Sequence, residues 1–526
     1  MEQLDILDCT LRDGGYCNQW KFGFDNACEI VKGLVAANVD IVECGFLTNR
    51  VDYQPNITRF NTLEQIKNTL PQDYCGKSFV CMMNYGEYEI SQLPTYNGSG
   101  INGIRVAFHK RDMVPALVLC QQIQEKGYDV YIQAMVSLSY SKEEFLSLIQ
   151  QCNQLMPKAF YIVDSFGSMK KHELIKLFNL AEQYLKPEIA IGFHSHNNMQ
   201  LAFSNAQTFA SMDSRHRKIV DCSVFGMGRG AGNLNTELFV EFLNEIYDQR
   251  YDLKPLLRLI DEVLNTFYQR SYWGYSLPNY LSAKHNAHPN YAGFLDDKKT
   301  LSIEDMNAIF SMMDERKFSY DKAYVEELYL RYMDQNITQS PNSAEFASHI
   351  HGGTVLVIAP GKSAELEKAK ICATAANPDI VTIGINFDYP YCNTDYIFVS
   401  NLRRFKSLDR STYSKAIVTS NIAAEDVYLR VSYRDLLNGI ESVQDNAGMM
   451  LIQYLISLGA EHIILAGVDG YSHDDDQNYA QQNMTYITPN SVLDDMNKGM
   501  RTMISQFAKQ TDIHFLTTSQ LSDVTR

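Results

Sequence analysis

The chain of 526 residues has eleven cysteines but no CxxC pair and no cysteine–histidine cluster of metal-binding spacing. That argues against a zinc-ribbon type of protein and against a disulfide scaffold. The scattered, odd set reads as reduced thiols buried as small apolar residues of a cytoplasmic protein. The opening MEQLDILDCTLRDGG lacks a basic stretch followed by an apolar core, so no secretory signal is expected there. No apolar run approaches the roughly 20 residues of a membrane-spanning helix, so no membrane partner is expected. Positive charge is also short: 46 Lys and Arg stand against 62 Asp and Glu, a net charge of −16. A nucleic-acid partner, which needs a basic surface, is thereby disfavoured, while a local basic pocket for a metabolite is not. Internal repeats and long low-complexity segments are absent. What is present, 45% hydrophobic and 21% charged residues, is ordinary for a globular protein long enough for two or three domains.

From residue 1 to about 230 one rhythm recurs: a short apolar run, a polar junction, an amphipathic stretch. Strands are expected at 4–9, 39–44, 78–83, 103–108, 129–136, 159–164, 189–194 and 218–224. Between them, stretches such as 26–38 and 172–185 carry apolar residues at helical spacings of three and four. Near-continuous apolar strands alternating with helices imply a parallel sheet covered on both faces, and eight such units imply a (β/α)8 TIM barrel. A doubly wound open sheet is the alternative. The expected division is a barrel over 1–285, a helical extension and linker over 286–350 (with a polar linker at 337–346), and a smaller Rossmann-like α/β domain over 351–526.

Polar residues stand at the ends of the expected strands, where a barrel gathers side chains into one cleft. They are Arg12 and Asp13, Glu43, Arg105, Asp164, His194 with His196, and Asn233. His-x-His on a strand puts both imidazoles on one face. With Asp13 they form a carboxylate-plus-two-imidazole set suited to a divalent ion, Mn²⁺ or Mg²⁺, with Co²⁺, Fe²⁺ and Zn²⁺ as alternatives. Hydrogen-bonded barrel histidines without a metal are the plainer reading. Asp164 fits a bond to a ligand histidine or to substrate, or a structural one. Arg105 fits a substrate carboxylate, or an ion pair with Glu43 or Asp164. The glycines at 226, 228, 230 and 232 suit either backbone approach to an anion or a tight turn. His285 and His288 read as packing or capping residues of the extension, with a lid over the cleft as the alternative.

The segments DCTLRDGG (8–15), DSFGSM (164–169), HSHNNMQLAFSNA (194–206) and GMGRGAGNLNTE (226–237) give the first 285 residues a resemblance to the pyruvate-metabolising, metal-dependent barrel family. That family holds hydroxymethylglutaryl-CoA lyase, isopropylmalate and homocitrate synthases, 4-hydroxy-2-oxovalerate aldolase and pyruvate carboxyltransferase domains, and the aldolase branch is the most similar. The resemblance implies metal ligation by Asp13, His194 and His196, with Asn233 as ligand or neighbour. It implies that Arg12 holds the oxo or enolate oxygen; Glu43, Arg105 and Asp164, from their places at the strand ends, are expected on the substrate side. The activity implied is that of a lyase, an aldolase joining a 2-oxo acid such as pyruvate to an aldehyde through a metal-chelated enolate. One position departs: where these aldolases carry a histidine base, this chain has Tyr16. Its usual pKa near 10 suits orienting substrate better than proton abstraction, leaving His109, Glu43 or a metal-bound water as base. A homo-oligomer is compatible with the family.

In the last third, PGKS (360–363), GINF (384–387), DYIFVSN (395–401) and GVDGY (467–471) resemble the nucleotide-sugar-binding fold of sialyltransferase-like and flagellin-modification proteins. The resemblance implies nucleotide contacts at Gly361, Ser363, Asn386 and Asp469, and a setting in surface-polysaccharide sugar-acid synthesis. GKS here is not a Walker motif, since its first glycine would fall at Leu356. Two other functions stand against the aldolase. A Claisen-type acyl-CoA synthase fits less well, because no acid–Gln follows the LRD segment. In the other, the chain is a nucleotide-sugar-binding or glycosyl-transfer protein whose barrel is a scaffold. A carboxyltransferase lacks its Met-Lys-Met.

Overall fold

The computed structural model describes residues 4–247, 250–298, 301–336, 340–480 and 488–525. It divides into two compact units: Met1–Asp296 with Met313–Asp321, and Asp297–Met312 with Lys322–Arg526. The expected extension over 286–350 is thus shared between them. Part of the expected linker at 337–346 is a helix, Ser343–Ile350, and residues 337–339 lie outside the described residues.

The first unit holds β1 (Leu4–Asp8), β2 (Ile41–Leu47), β3 (Arg59–Phe60), β4 (Ser78–Asn84), β5 (Gly103–Phe108), β6 (Asp129–Ala134), β7 (Ala159–Asp164), β8 (Ala190–Ser195) and β9 (Lys218–Cys222). All pairings are parallel, in the order β1-β9-β8-β7-β6-β5-β4-β2-β3, and β1 also pairs with β2, which closes the barrel. The eight expected strands are the eight staves; β3 is an extra two-residue strand beside β2. Helices such as Phe24–Ala36 and Lys171–Tyr184 fall where the helical spacing puts them.

Strand residues alternate between two cores. Leu4 and Ile6 face the layer between sheet and helices, whereas Leu7, Ile41, Val80, Tyr131, Tyr161 and Ile219 pack inside the barrel. A side chain buried on either face of the sheet must be apolar, which is why these strands read as unbroken apolar runs. Buried polar residues break these runs: Glu43, Arg105, Asp164, His194 and Asp221, and also Asp5, Asp8, Gln133, Ser195 and Lys218.

The second unit carries β10 (Thr354–Ile358), β11 (Ile380–Ile385), β12 (Tyr396–Val399), β13 (Ala416–Thr419), β14 (Leu429–Val431), β15 (His462–Ala466) and β16 (Asp512–Phe515). They form a parallel sheet in the order β14-β13-β12-β11-β10-β15-β16. The order reverses beside β10, where doubly wound sheets open a crevice at the strand ends. No helix among the described residues is long and apolar enough to cross a membrane. All eleven cysteines are free; six are buried as expected, and Cys75 is exposed.

Candidate metal centre

Arg12 and Asp13 sit on a one-turn helix, Thr10–Asp13, directly after β1. Its backbone is pinned from two sides: Trp20 Nε1 donates to the Arg12 carbonyl at 2.7 Å and Thr58 Oγ1 to the Leu11 carbonyl at 2.7 Å. His194 lies on β8, and His196 just beyond it forms an antiparallel bridge with Asn233. The two imidazole centroids are 5.1 Å apart with planes at 87°. Asp13, His194 and His196 each offer a ligand atom within 4.8 Å of the others, and all three are buried.

Asn233 Nδ2 donates to Asp13 Oδ2 at 2.6 Å, while Asn233 Oδ1 and His196 Nδ1 are buried without a partner. Unpartnered buried donors and acceptors are costly, and a cation among them answers that cost. Two imidazoles, a carboxylate and an amide oxygen form a donor set that suits Mn²⁺ or its neighbours.

The charges around these ligands are arranged in pairs. Glu43 Oε2 accepts from Arg12 Nε at 2.8 Å and from Arg105 Nη1 at 2.8 Å. Arg12 also pairs with Asp13, and Arg105 with Asp221. Asp221 Oδ2 stands 2.9 Å from His194 Nδ1, which fixes the ring and leaves Nε2 as its ligand atom. Three buried carboxylates against two buried arginines leave a negative balance that favours a cation.

Burial alone would raise Asp13, but Arg12 and then His196 outweigh it and hold the carboxyl below its usual range. Burial lowers His196 to about 3, so its ring is neutral and able to ligate. Asp221 is held down, against its burial, by Arg105 and His194.

Of the expected substrate-side residues, Glu43 and Arg105 are engaged with each other beneath the ligands. Arg105 is 0% exposed and ion-paired with both Glu43 and Asp221, so it is the ion-pair reading of this residue that the geometry bears. Asp164 Oδ1 and Oδ2 accept from the Ser168 and Met169 backbone at 2.9 and 3.1 Å, shaping the loop after β7. Burial lifts it to about 7. The glycine run is a tight turn around Asn233. A Cβ on Gly228 would stand 2.5 Å from Asn233 Nδ2, and Gly232, at φ +86°, would meet the Gly226 carbonyl at 2.1 Å.

Tyr16 is 39% exposed, its ring edge-on to Trp20 at 4.7 Å and under the Arg229 guanidinium at 5.1 Å. His109, at the end of β5, is half-buried, and burial with Arg111 nearby lowers its pKa. His288, expected to be a packing residue, stands against Phe166 at 5.9 Å and 3.3 Å from Arg229.

Two of these residues escape sequence reasoning: Asp221 and Arg229. Asp221 had a signal, a lone acid inside the apolar run KIVDCSV; Arg229 had one too, a single charge among four glycines.

In the second unit, Gly361, Ser363 and Asp469 come together. Asp469 accepts from the Ser363 backbone at 2.7 Å and from its hydroxyl, and a Cβ on Gly361 would meet the Gly467 carbonyl at 2.3 Å. Ser363 and Asp469 line a cavity of about 680 Å³ with Ser472, Asn497, Thr518 and Gln520. Asn386 does not line it; its Oδ1 is buried without a partner at the end of β11.

Known proteins resemble the first unit. Residues 110–263 match the model of the HMGL-like family. The 4-hydroxy-2-oxovalerate aldolase of Geobacillus thermodenitrificans is 26% identical over 265 residues, 49% of this chain and 75% of that protein. The enzyme of the same name from Geobacillus stearothermophilus is 27% identical over 268 residues, 49% of this chain and 75% of its own. Among solved structures, the carboxyl transferase domain of pyruvate carboxylase from Rhizobium etli is 15% identical, with 67% of this chain and 65% of that chain covered and a TM-score of 0.50. This last is a likeness of fold.

Proposed function

We propose that this chain is a divalent-metal-dependent aldolase of the HMGL-like kind, joining a 2-oxo acid such as pyruvate to an aldehyde, or cleaving the 4-hydroxy-2-oxo acid that results. The observation that carries the reading is the buried Asp13, His194 and His196 cluster beside Arg12 at the C-terminal end of the barrel. The aldolase relatives over the same half of the chain support it. The ligands proposed are Asp13, His194 and His196, with Asn233 as neighbour or fourth ligand, and Mn²⁺ or Mg²⁺ as the ion. When bound, that ion supplies a Lewis acid for the 2-oxo carbonyl.

The remaining roles belong to side chains. Arg12 uses Nε and Nη1 on Glu43 and Asp13, and its Nη2 makes no hydrogen bond among the described residues. That leaves a fixed, charged donor for the oxygen on which enolate charge develops, a preorganised arrangement that needs no movement during reaction. Glu43 and Arg105 hold Arg12 in place, and Asp221 holds His194. Tyr16, exposed at the cleft and packed on Trp20, orients the 2-oxo acid. Its hydroxyl replaces the histidine expected from the family.

The test is carbon–carbon chemistry itself. Pyruvate with a panel of aldehydes and Mn²⁺ is expected to yield 4-hydroxy-2-oxo acids, and chelation is expected to stop the reaction. No product with any aldehyde, or turnover indifferent to chelator, overturns the reading.

For the second unit, the strand-end cavity at Ser363 and Asp469 supports a nucleotide or nucleotide-sugar ligand, in keeping with a setting in surface-polysaccharide sugar-acid synthesis. Titration of the full chain with CMP and UDP-sugars checks this. Binding that survives Asp469→Ala unchanged counts against it.

A further inference from the structure

Arg12 and Arg105 are neutralised by Glu43, Asp13 and Asp221. Arg229 is not: among the described residues it makes no ion pair. It stands half-buried in the loop after β9, with Nη2 donating to the Ser165 carbonyl at 3.1 Å and Nε buried without a partner. Its Nη1 lies 3.3 Å from His288 Nε2, while His288 Nδ1 faces the Asn290 N–H at 3.2 Å. Both ring nitrogens therefore face donors. A neutral imidazole carries one proton, so whichever nitrogen holds it, one pair of donors meets without an acceptor. An anionic oxygen beside Arg229 resolves the conflict: Nδ1 keeps Asn290, and the Nε2–H and the guanidinium share the anion. Ser165 also lines a cavity of about 90 Å³ with Ser168, Asn286 and Lys317, and Lys317 too makes no ion pair among the described residues.

We infer that Arg229, with His288 beside it, is a subsite for an anionic group on the acceptor aldehyde, a carboxylate or a phosphate. This rests on the aldolase reading above and names its second substrate class. In that reading the 2-oxo acid is held by the ligand cluster and Arg12 in the buried floor, and the acceptor approaches from the open side. The acceptor's far end then falls at the half-buried rim, where Tyr16 and Arg229 stand. A guanidinium fork suits either oxyanion, because it presents parallel donors to two oxygens.

Two experiments on the full, Mn²⁺-loaded chain test this. In the first, kcat/KM is compared for succinic semialdehyde against butanal, and for glyceraldehyde 3-phosphate against glyceraldehyde. The preferred pair tells carboxylate from phosphate. Arg229→Gln is expected to lower the anionic-over-neutral ratio by about 10- to 100-fold, the loss typical of a charged hydrogen-bonding partner, and Arg229→Lys to restore part of it. A wild-type protein without preference for the charged aldehydes, or a ratio unmoved in Arg229→Gln, overturns the proposal. The second reads binding alone, by calorimetry with succinate and with glycerol 3-phosphate. At least one is expected to bind Arg229→Gln ten times or more weaker than wild type, by about the same principle. Equal affinities sink the subsite whatever the turnover assays give. Absence of turnover with every aldehyde counts instead against the aldolase reading, and the calorimetry still decides Arg229.

Discussion

Asp221 shows how one side chain governs another it only touches. Its carboxylate receives His194 Nδ1 and pairs with Arg105, so the ring that offers Nε2 to a metal cannot swing away. Asp221→Asn is therefore expected to weaken Mn²⁺ binding by about 10- to 100-fold, as outer partners of metal ligands commonly do; metal titration of the purified variant measures it. Asp164 makes a prediction in pH. Its folded value of about 7 lies above the usual 3.8, because burial disfavours the charge. Between these values the folded chain keeps a proton that the unfolded chain has released. This residue's stabilising contribution is thus full below about pH 4 and lost as pH rises to about 7. Buried His196, lowered to about 3, has the opposite slope below the histidine range. The comparison of urea midpoints at pH 5 and pH 7.5 must therefore be made between wild type and Asp164→Asn. The variant is expected to lose less stability, or gain more, over that rise. An identical change in both would assign no such proton to Asp164.

At the scale of elements, the loop from Gly226 to Asn233 carries the site's precision. Gly228 lies against Asn233, so Gly228→Ala forces the loop or the amide aside, since the clash at 2.5 Å is with a side chain already held by Asp13. Activity is expected to fall by tenfold or more while far-ultraviolet circular dichroism is unchanged, in line with about 100-fold for a 1 Å misplacement. The staves of the barrel were legible because each is buried on both faces and reads as an apolar run with few polar breaks. The same logic marks where the sequence is silent. β14 and β16 are the two edges of the second sheet, three and four residues long, and β16 is half-exposed, so neither carries an apolar run. Sequence placed Asp13, His194, His196 and Asn233 at one cleft because strand ends in a barrel converge. It left Arg105 between two readings, since only the fold shows Glu43 and Asp221 on either side of it.

The whole chain is two compact units, each with its own parallel sheet and core, and the candidate metal cluster belongs to the first of them. A ligand that binds only the folded state stabilises it by about 2.7 kcal/mol at a hundredfold excess over its Kd. Mn²⁺ is therefore expected to raise the unfolding temperature of the barrel by several degrees in scanning calorimetry, and to leave His194→Ala unmoved. Equal shifts in both proteins would place the ion elsewhere. The central claim is narrower than any of these: the Asp13, His194 and His196 cluster, with Arg12, makes a 2-oxo acid into an enolate. Proton NMR of pyruvate in deuterium oxide follows it without reference to any aldehyde. With Mn²⁺, the methyl signal should decay well above the rate in buffer and metal alone, and His194→Ala should remove the excess. Decay no faster than the buffer control, or undiminished in His194→Ala, would contradict the account at its base.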